Sequence, residues 1–446
     1  MIVGIVGAGP AGLAAARHLL AAGFEVELLE REAEPGGVWN YGRPQGRVYW
    51  STHTISSKPM TEFPDFPMPD DFPDYPHHSQ VLAYIRAYVR RFALGEHVRY
   101  GEEVVTVEPE DATRAGTGWI VETSPGRSGG NRSGENGAGR RRRYDAVVLA
   151  NGHNAEPRRP QWPGELDGTI LHSSEYLTPH VLADRRVLVV GAGNSGCDLA
   201  VESAQAARST LLSMRRGYHY IPKYLLGRPA DQVNDLALRL RVPLPVRRWT
   251  ARQLLRIGRG LPEHVGLPTP DHALFESHPV VNTLLPYFVR HGRIRVVPDV
   301  ERLEGGAVRF SDGTVEPVEV LVMATGYRLT FPFIDRALLN WDDGRPRLHG
   351  HVFHPRFDTL FTAGMVQTDS GVLRILHEQA RCIAGFLEAA RIGTPAAAAL
   401  RERKRDPEGG LGRRRRYMDS PRHRLEVEHW SYLRELQRLA RSLGVT

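Results

Sequence analysis

Two stretches of this chain repeat one pattern, an apolar run that stops at GxGxxG and passes into a helical stretch, and this repetition narrows the possible folds more than any other feature. Met1 to Val6 is apolar enough for a buried strand, Gly7, Gly9 and Gly12 follow, and Leu13 to Ala22 reads as helix. Arg186 to Val190, then Gly191, Gly193 and Gly196, then Cys197 to Ala207 run in the same order. The first glycine of each set permits a tight turn, the second lets backbone approach a pyrophosphate, and the third lets the helix pack close to the strand. Unpaired N–H groups at the helix start attract the phosphates. Pro10 and Ala11 complete the first turn, Asn194 and Ser195 the second. The pattern predicts an α/β chain with two dinucleotide-binding domains of the Rossmann type.

The residues after each unit separate their ligands. The next strand of the first, Phe24 to Leu29, ends at Glu30, with Arg31 beyond it. A carboxylate accepts hydrogen bonds from a ribose diol and repels a 2′-phosphate, so this site suits FAD or NAD and disfavours NADP. The next strand of the second unit, Thr210 to Ser213, runs instead toward Arg215 and Arg216, whose guanidinium groups attract a 2′-phosphate and fork onto it. That predicts NADPH. Opposite ribose preferences in one chain point to FAD and NADPH held together. Gly36, Gly37, Val38 and Trp39 read either as a second close approach of backbone and an aromatic ring to a flat ligand or as an ordinary turn.

Composition removes other classes. With 41% hydrophobic and 24% charged residues in 446, the chain suits a soluble globular protein of two or three domains. A formal charge of +7 suggests nucleic acid, yet Lys58, Lys223 and Lys404 are the only lysines, so the positive charge is an arginine bias. The runs Arg140 to Arg143 and Arg413 to Arg416 lack interleaved aromatics and read as solvated. Cys197 and Cys382 are too few and too far apart for a disulfide framework, a CxxC pair or a thiolate metal site. No metal is expected. The apolar N-terminus has no basic segment before it, and no later window reaches the roughly 18 apolar residues of a membrane helix. The expectation is a cytoplasmic protein acting on a small molecule, without membrane or nucleic-acid partners and compatible with a homodimer.

Along the chain, the proline- and aspartate-rich stretch Phe63 to Pro76 reads as an extended connection rather than a calcium loop. His77 and His78 read as loop residues, Val81 to Phe92 as an amphipathic helix, and Ser124 to Arg143 as a disordered hairpin insertion. Val147 to Ala150 leads into Asn151-Gly152-His153, and Val320 to Met323 leads into Ala324-Thr325-Gly326-Tyr327. Such strand ends are where a two-dinucleotide flavoprotein crosses between domains or covers the flavin. The expected division is a discontinuous FAD domain, 1–160 and 279–446, the latter with a helical tail, and an inserted NADPH domain, 161–278.

These residues resemble the flavin-containing monooxygenase family over nearly the whole chain. Its motif FxGxxxHxxx(Y/F) stands as Leu166 to Tyr176, with Gly168, His172 and Tyr176 in place and leucine for the leading phenylalanine. Type I Baeyer–Villiger monooxygenases are similar but carry Trp at the position of Tyr176. Further matches are Phe63-Pro64-Asp65-Phe66-Pro67, Phe331-Pro332-Phe333, Gly364-Met365-Val366-Gln367 and Glu378-Gln379-Ala380-Arg381. The resemblance implies that Gln367 lies near the isoalloxazine and that Thr54, Ile55 and Ser56 occupy the flavin-facing segment. The family has asparagine where Ile55 stands, and isoleucine donates no hydrogen bond. Either His53, Thr54 or Ser56 substitutes, or the nicotinamide amide does, or peroxide leaks.

The implied activity is that of an NADPH- and FAD-dependent monooxygenase, in which a C4a-hydroperoxyflavin formed from O2 oxygenates an amine nitrogen or a sulfide sulfur. Baeyer–Villiger oxygenation of a ketone is the nearest alternative. An NADPH oxidase releasing hydrogen peroxide is the other, kept open by Ile55.

Overall fold

The computed structural model describes residues 1–126, 139–240, 242–259, 262–278, 280–407, 409, 411, 417 and 423–445. The chain divides into two units: Met1–Gly46, Lys58–Ala155 and Leu329–Thr446 form the first, Arg47–Ser57 and Glu156–Arg328 the second.

The first unit opens with β1 (Ile2–Val6), α1 (Pro10–Ala21) and β2 (Glu25–Glu30). The helix starts before the expected Leu13 because Pro10 has the fixed φ and absent N–H that suit a first helical position. The next helix, α2 (His78–Arg91), likewise starts before the expected Val81. His77 caps it: its ring accepts from the Ser79 N–H, and Gln80 Oε1 accepts from the His77 N–H at 2.9 Å. The two histidines expected in a loop are therefore a helix cap and a buried first-turn residue.

Five strands follow: β3 (Val98–Tyr100), β4 (Glu102–Pro109), β5 (Trp119–Pro125), β6 (Arg140–Tyr144) and β7 (Ala146–Leu149). β4, β5 and β6 form an antiparallel ladder. The expected disordered insertion therefore ends earlier than Arg143, and its central residues 127–138 lie outside the described ones, as do Arg413 to Arg416. Arg140, Arg141 and Arg143 are exposed, as expected of a solvated run, and the arginines of β6 also pair with acids. Arg142 donates to both oxygens of Glu102, and Arg143 reaches Glu110 at 2.8 Å and Asp145 at 2.7 Å.

The second unit contains β8 (Thr169–His172), β9 (Arg186–Val190), α3 (Asn194–Ala206), β10 (Ser209–Ser213), α4 (Ala230–Arg239), β11 (Ile294–Val297) and β12 (Val320–Met323). Its parallel sheet has the order β11-β10-β9-β12-β8. Residues 280–328 thus belong here and not, as expected, to the first unit, because β11 pairs with β10 and β12 pairs with β9. Cys197 is a buried packing residue of this core, beside Val187, Leu199 and Val322.

Returning to the first unit, the chain adds β13 (Leu360–Thr362), α5 (Leu373–Ile392) and α6 (His429–Ser442). The first parallel sheet has the order β13-β7-β1-β2-β3. α1 packs on α5, which in turn packs on α6. Among the described residues no helix is long and apolar enough to cross a membrane.

α1 and α5 also meet through polar groups. His18 Nε2 lies 3.2 Å from His377 Nδ1, and Asp65 Oδ1 lies 3.4 Å from the same His377 nitrogen. These three side chains bring one metal-ligand atom each within 4.8 Å. Arg17, 2.7 Å from the other Asp65 oxygen, already supplies a cation there. Burial, with the positive potential of His377 and Arg17, lowers the pKa of His18 to about 3. Burial does the same to His354, with Lys404 adding to the effect.

Two predictions follow from this packing. A neutral folded His18 against an unfolded histidine of ordinary pKa makes stability complete above about pH 6.5 and lost as pH falls toward 3, at about 1.4 kcal/mol per pH unit for one proton. His18→Gln should flatten the decline between pH 6.5 and 5 in denaturant unfolding, and an unchanged slope would refute the assignment. Separately, Gly12→Ala should cost about 1–3 kcal/mol, because its Cβ would run into the Gly7 carbonyl oxygen. Gly23→Ala, with no heavy atom within 4 Å of its Cβ, should cost only the left-handed backbone penalty of about 1 kcal/mol. Equal losses in thermal unfolding would show that close packing is not what Gly12 provides.

Candidate dinucleotide sites

In the first unit, Gly7 stands at φ +103°, and a Cβ there would meet the Ala150 carbonyl oxygen at 2.8 Å. Gly9 caps α1 without a side chain that could occupy the first-turn N–H groups. Gly37, at φ +57°, comes so close that its Cβ would lie 3.1 Å from the Gly9 Cα. The second backbone approach read from Gly36 and Gly37 therefore lies against the first glycine turn. Val38 and Trp39 complete the short helical turn Gly37–Trp39, with the half-buried Trp39 packed on the core.

Glu30 ends β2 with 6% of its surface exposed. Its Oε2 accepts from the Ala8 N–H at 2.7 Å and its Oε1 from the Glu32 N–H at 2.9 Å, fixing the carboxylate beside the turn. Burial raises its pKa, and these two N–H donors oppose the shift. Arg31 turns to Glu103, 3.1 Å away. The cradle of bare backbone and the anchored acid fit the pyrophosphate and ribose of an adenine dinucleotide.

Gly364-Met365-Val366-Gln367 approaches the same turn, since a Cβ on Gly364 would lie 2.9 Å from the Ala11 Cβ. Gln379 fixes this approach: its Oε1 accepts from the Gly364 N–H at 3.0 Å and its Nε2 donates to the Tyr432 hydroxyl at 2.8 Å. Gln367 is half-buried, and its backbone N–H donates to the Leu425 carbonyl at 2.8 Å.

The second unit repeats the geometry. Gly191 is also at φ +103°, its Cβ would meet the Ala324 carbonyl oxygen at 2.6 Å, and a Cβ on Gly196 would run into the Gly191 carbonyl. Ala324 thus covers Gly191 as Ala150 covers Gly7. Gly193 caps α3, Ser195 is exposed in the first turn, and Asn194 Oδ1 accepts from the Val281 N–H at 2.8 Å. Beyond β10, Arg215 is exposed, and Arg216 is half-buried near Asp271. The Asp271 carboxyl is lowered by its hydrogen bond from His272 and by Arg216.

The segment from Gly168 to Tyr176 braces this unit. Gly168 lets its chain pass the Glu319 carbonyl, against which a Cβ would collide. His172, fully buried at the end of β8, has Nδ1 facing the Ser174 N–H at 3.1 Å, which assigns the proton to Nε2. That nitrogen donates to the Gly326 carbonyl at 3.1 Å, while the ring meets Tyr327 edge-on. Burial lowers the pKa of His172, keeping it a neutral donor. Thr325 Oγ1 donates to the Arg158 carbonyl, so the whole Ala324–Tyr327 turn is fixed within the second unit. The Tyr176 hydroxyl donates to Glu202 on α3.

Thr54, Ile55 and Ser56 belong to the second unit and Gln367 to the first. Thr54 is buried, and its Oγ1 has no hydrogen-bond partner among the described residues. Ile55 and Ser56 are half-buried, and His53 is exposed with its ring 2.8 Å from the Ser51 carbonyl. Sequence reasoning missed Tyr49 and Asp198, which join this segment to α3. Nothing local marks either residue, because the bond spans 149 positions.

The sequence model of the flavin-binding monooxygenase-like family matches residues 2–444. The chain is 33% identical over 396 residues to dimethylaniline monooxygenase (N-oxide-forming) 2 of Rattus norvegicus, across 85% of this chain and 72% of that protein. It is 28% identical over 459 residues to flavin-containing monooxygenase 3 of Oryctolagus cuniculus, across 99% and 83%. Among solved structures, S-allyl-L-cysteine S-oxygenase from Allium sativum superposes with a TM-score of 0.64 at 22% identity, covering 100% of this chain and 89% of that one. Cyclohexanone monooxygenase in its open form gives 0.70 at 18% identity, covering 99% and 97%. At these identities the superpositions establish the fold. Because the family match runs through both units and their two glycine turns, the chain belongs to the flavin-binding monooxygenase-like family, enzymes that use FAD, NADPH and O2.

Proposed function

We propose that this enzyme oxygenates a soft nucleophile, an amine nitrogen or a sulfide sulfur, on a small molecule. The observation that carries this reading over ketone oxygenation is Tyr176, whose hydroxyl is committed to Glu202 at the position where the Baeyer–Villiger branch has Trp. Identity of 33% to a protein named for N-oxide formation supports it. When bound, the flavin supplies the oxygen transfer: a hydride comes from NADPH, one atom of O2 goes to the substrate and the other leaves as water.

The protein binds, orients and shields. Glu30 holds a ribose diol of FAD and the turn from Gly7 to Gly12 its pyrophosphate; the turn from Gly191 to Gly196 does the same for NADPH, with Arg215 and Arg216 on the 2′-phosphate. Arg215 is the exposed member of that pair, and Arg216 also interacts with Asp271. At the flavin-facing segment, Thr54 takes over the role that the family gives the asparagine at the position of Ile55, because its hydroxyl is buried without a partner among the described residues. A hydroxyl in that state gains a hydrogen bond by donating to bound cofactor or oxygen.

The oxidase alternative keeps one observation in its favour, the side chain of Ile55, which donates nothing. Thr54→Val should raise the hydrogen peroxide released per NADPH oxidised by up to about tenfold, the worth of one hydrogen bond. Ile55→Asn should lower it. Peroxide yields unchanged in both variants would remove this segment from oxygen handling, and a wild type converting all NADPH to peroxide with amines and sulfides present would establish the oxidase. Arg215→Ala with Arg216→Ala should raise the KM for NADPH by about tenfold or more and that for NADH by less than about threefold. Equal effects would disprove the 2′-phosphate assignment.

A further inference from the structure

Residues Arg47–Ser57 pack with the second unit, although the chain on either side, up to Gly46 and from Lys58, belongs to the first. Within the second unit this eleven-residue segment is anchored at several points. At its ends, the Arg47 guanidinium lies 5.7 Å from the Tyr327 ring centroid, and the Ser57 N–H donates to Asp231 Oδ2 on α4 at 2.6 Å. The Trp50 N–H donates to the Leu177 carbonyl at 2.9 Å.

The anchor at its centre differs in kind. Tyr49 is buried, and its hydroxyl donates to Asp198 Oδ2 at 3.0 Å; the other Asp198 oxygen accepts from Asn282 Nδ2 at 2.7 Å. The Asp198 carboxylate is half-buried, and a hydrogen bond to a charged group is worth more than a neutral one, so losing the Tyr49 donor weakens the hold on this segment. Asp198 lies on α3, five residues from the cap Gly193 and hence about 7 Å along the axis from the glycine turn. Helix α3 therefore carries at its N-terminus the site for a nicotinamide dinucleotide and, just over a turn further on, the hook for the segment bearing Thr54, Ile55 and Ser56.

We propose that Tyr49 and Asp198 are positioning residues, and that their hydrogen bond links occupancy of the second glycine turn by NADP+ to the ordering of Thr54 to Ser56. The inference rests on reading that turn as the NADPH site and that segment as the oxygen-handling one. Ligand binding at the start of α3 fixes the helix, the helix fixes Tyr49, and Tyr49 fixes the segment's backbone.

The test is hydrogen–deuterium exchange on the FAD-loaded enzyme with and without NADP+. In the wild type, NADP+ should slow exchange in 47–57 by about tenfold. Tyr49→Phe should abolish that protection while changing the NADP+ dissociation constant by less than about threefold and leaving FAD content intact. Tyr176→Phe removes the same kind of bond, from the Tyr176 hydroxyl to Glu202 one turn along α3, but outside the segment, and should keep the protection. The peroxide released per NADPH should rise in Tyr49→Phe in step with the lost protection. No slowing in the wild type, full slowing in Tyr49→Phe, or equal loss in both variants would overturn the proposal. A wild type that does not bind NADP+ would overturn the functional reading beneath it, and the proposal with it.

Discussion

The close approach, in each unit, of the third glycine of the turn to the carbonyl of the first is the constraint on which the rest depends. Gly12 on Gly7 and Gly196 on Gly191 leave no room for a Cβ, so each helix starts hard against the end of its strand. That placement aims bare backbone N–H groups outward from the helix start. It also decides what may cover the turn: Ala150 in one unit and Ala324 in the other bring a carbonyl to the first glycine, so the strand following each crossover ends in the same way. The two stretches thereby reach the same backbone angle, φ +103°, at Gly7 and Gly191.

What could be read from the sequence was what is encoded locally. The glycine spacing, the acid at Glu30 and the apolar strands all express short-range rules, and the two parallel sheets follow from them. Sheet membership is not local. Nothing in Ile294–Val297 or Val320–Met323 says which sheet it joins, and both were expected in the wrong domain because pairing with Ser209–Ser213 and Arg186–Val190 is a long-range choice. Arg140 to Arg143 were expected in a disordered insertion for the same reason. Their place in a strand depends on pairing with Trp119–Pro125, and the acids that meet Arg142 and Arg143, Glu102 and Glu110, lie on and beyond β4 rather than on that neighbour.

Of the candidate site, the backbone elements were legible and the side-chain networks were not. His172 and Tyr176 stood out only through a family motif; their work, a neutral histidine holding the Gly326 turn and a hydroxyl bound to Glu202, depends on partners far away in sequence. Gln379 is similar, since its role is to hold Gly364 to Tyr432 across the first unit. Such residues carry no periodic signal. Their meaning lies in geometry that only folding supplies.

The chain passes between its units at four places, after Gly46, Ser57, Ala155 and Arg328. Modular exchange is thereby restricted. A chimera that grafts only 156–328 from one relative into another would leave Asp198 facing a foreign segment in place of Tyr49. The inheritable module of the second unit is instead two pieces of chain, one long and one of eleven residues, which recombination at a single pair of breakpoints cannot move together without carrying Lys58–Ala155 with them.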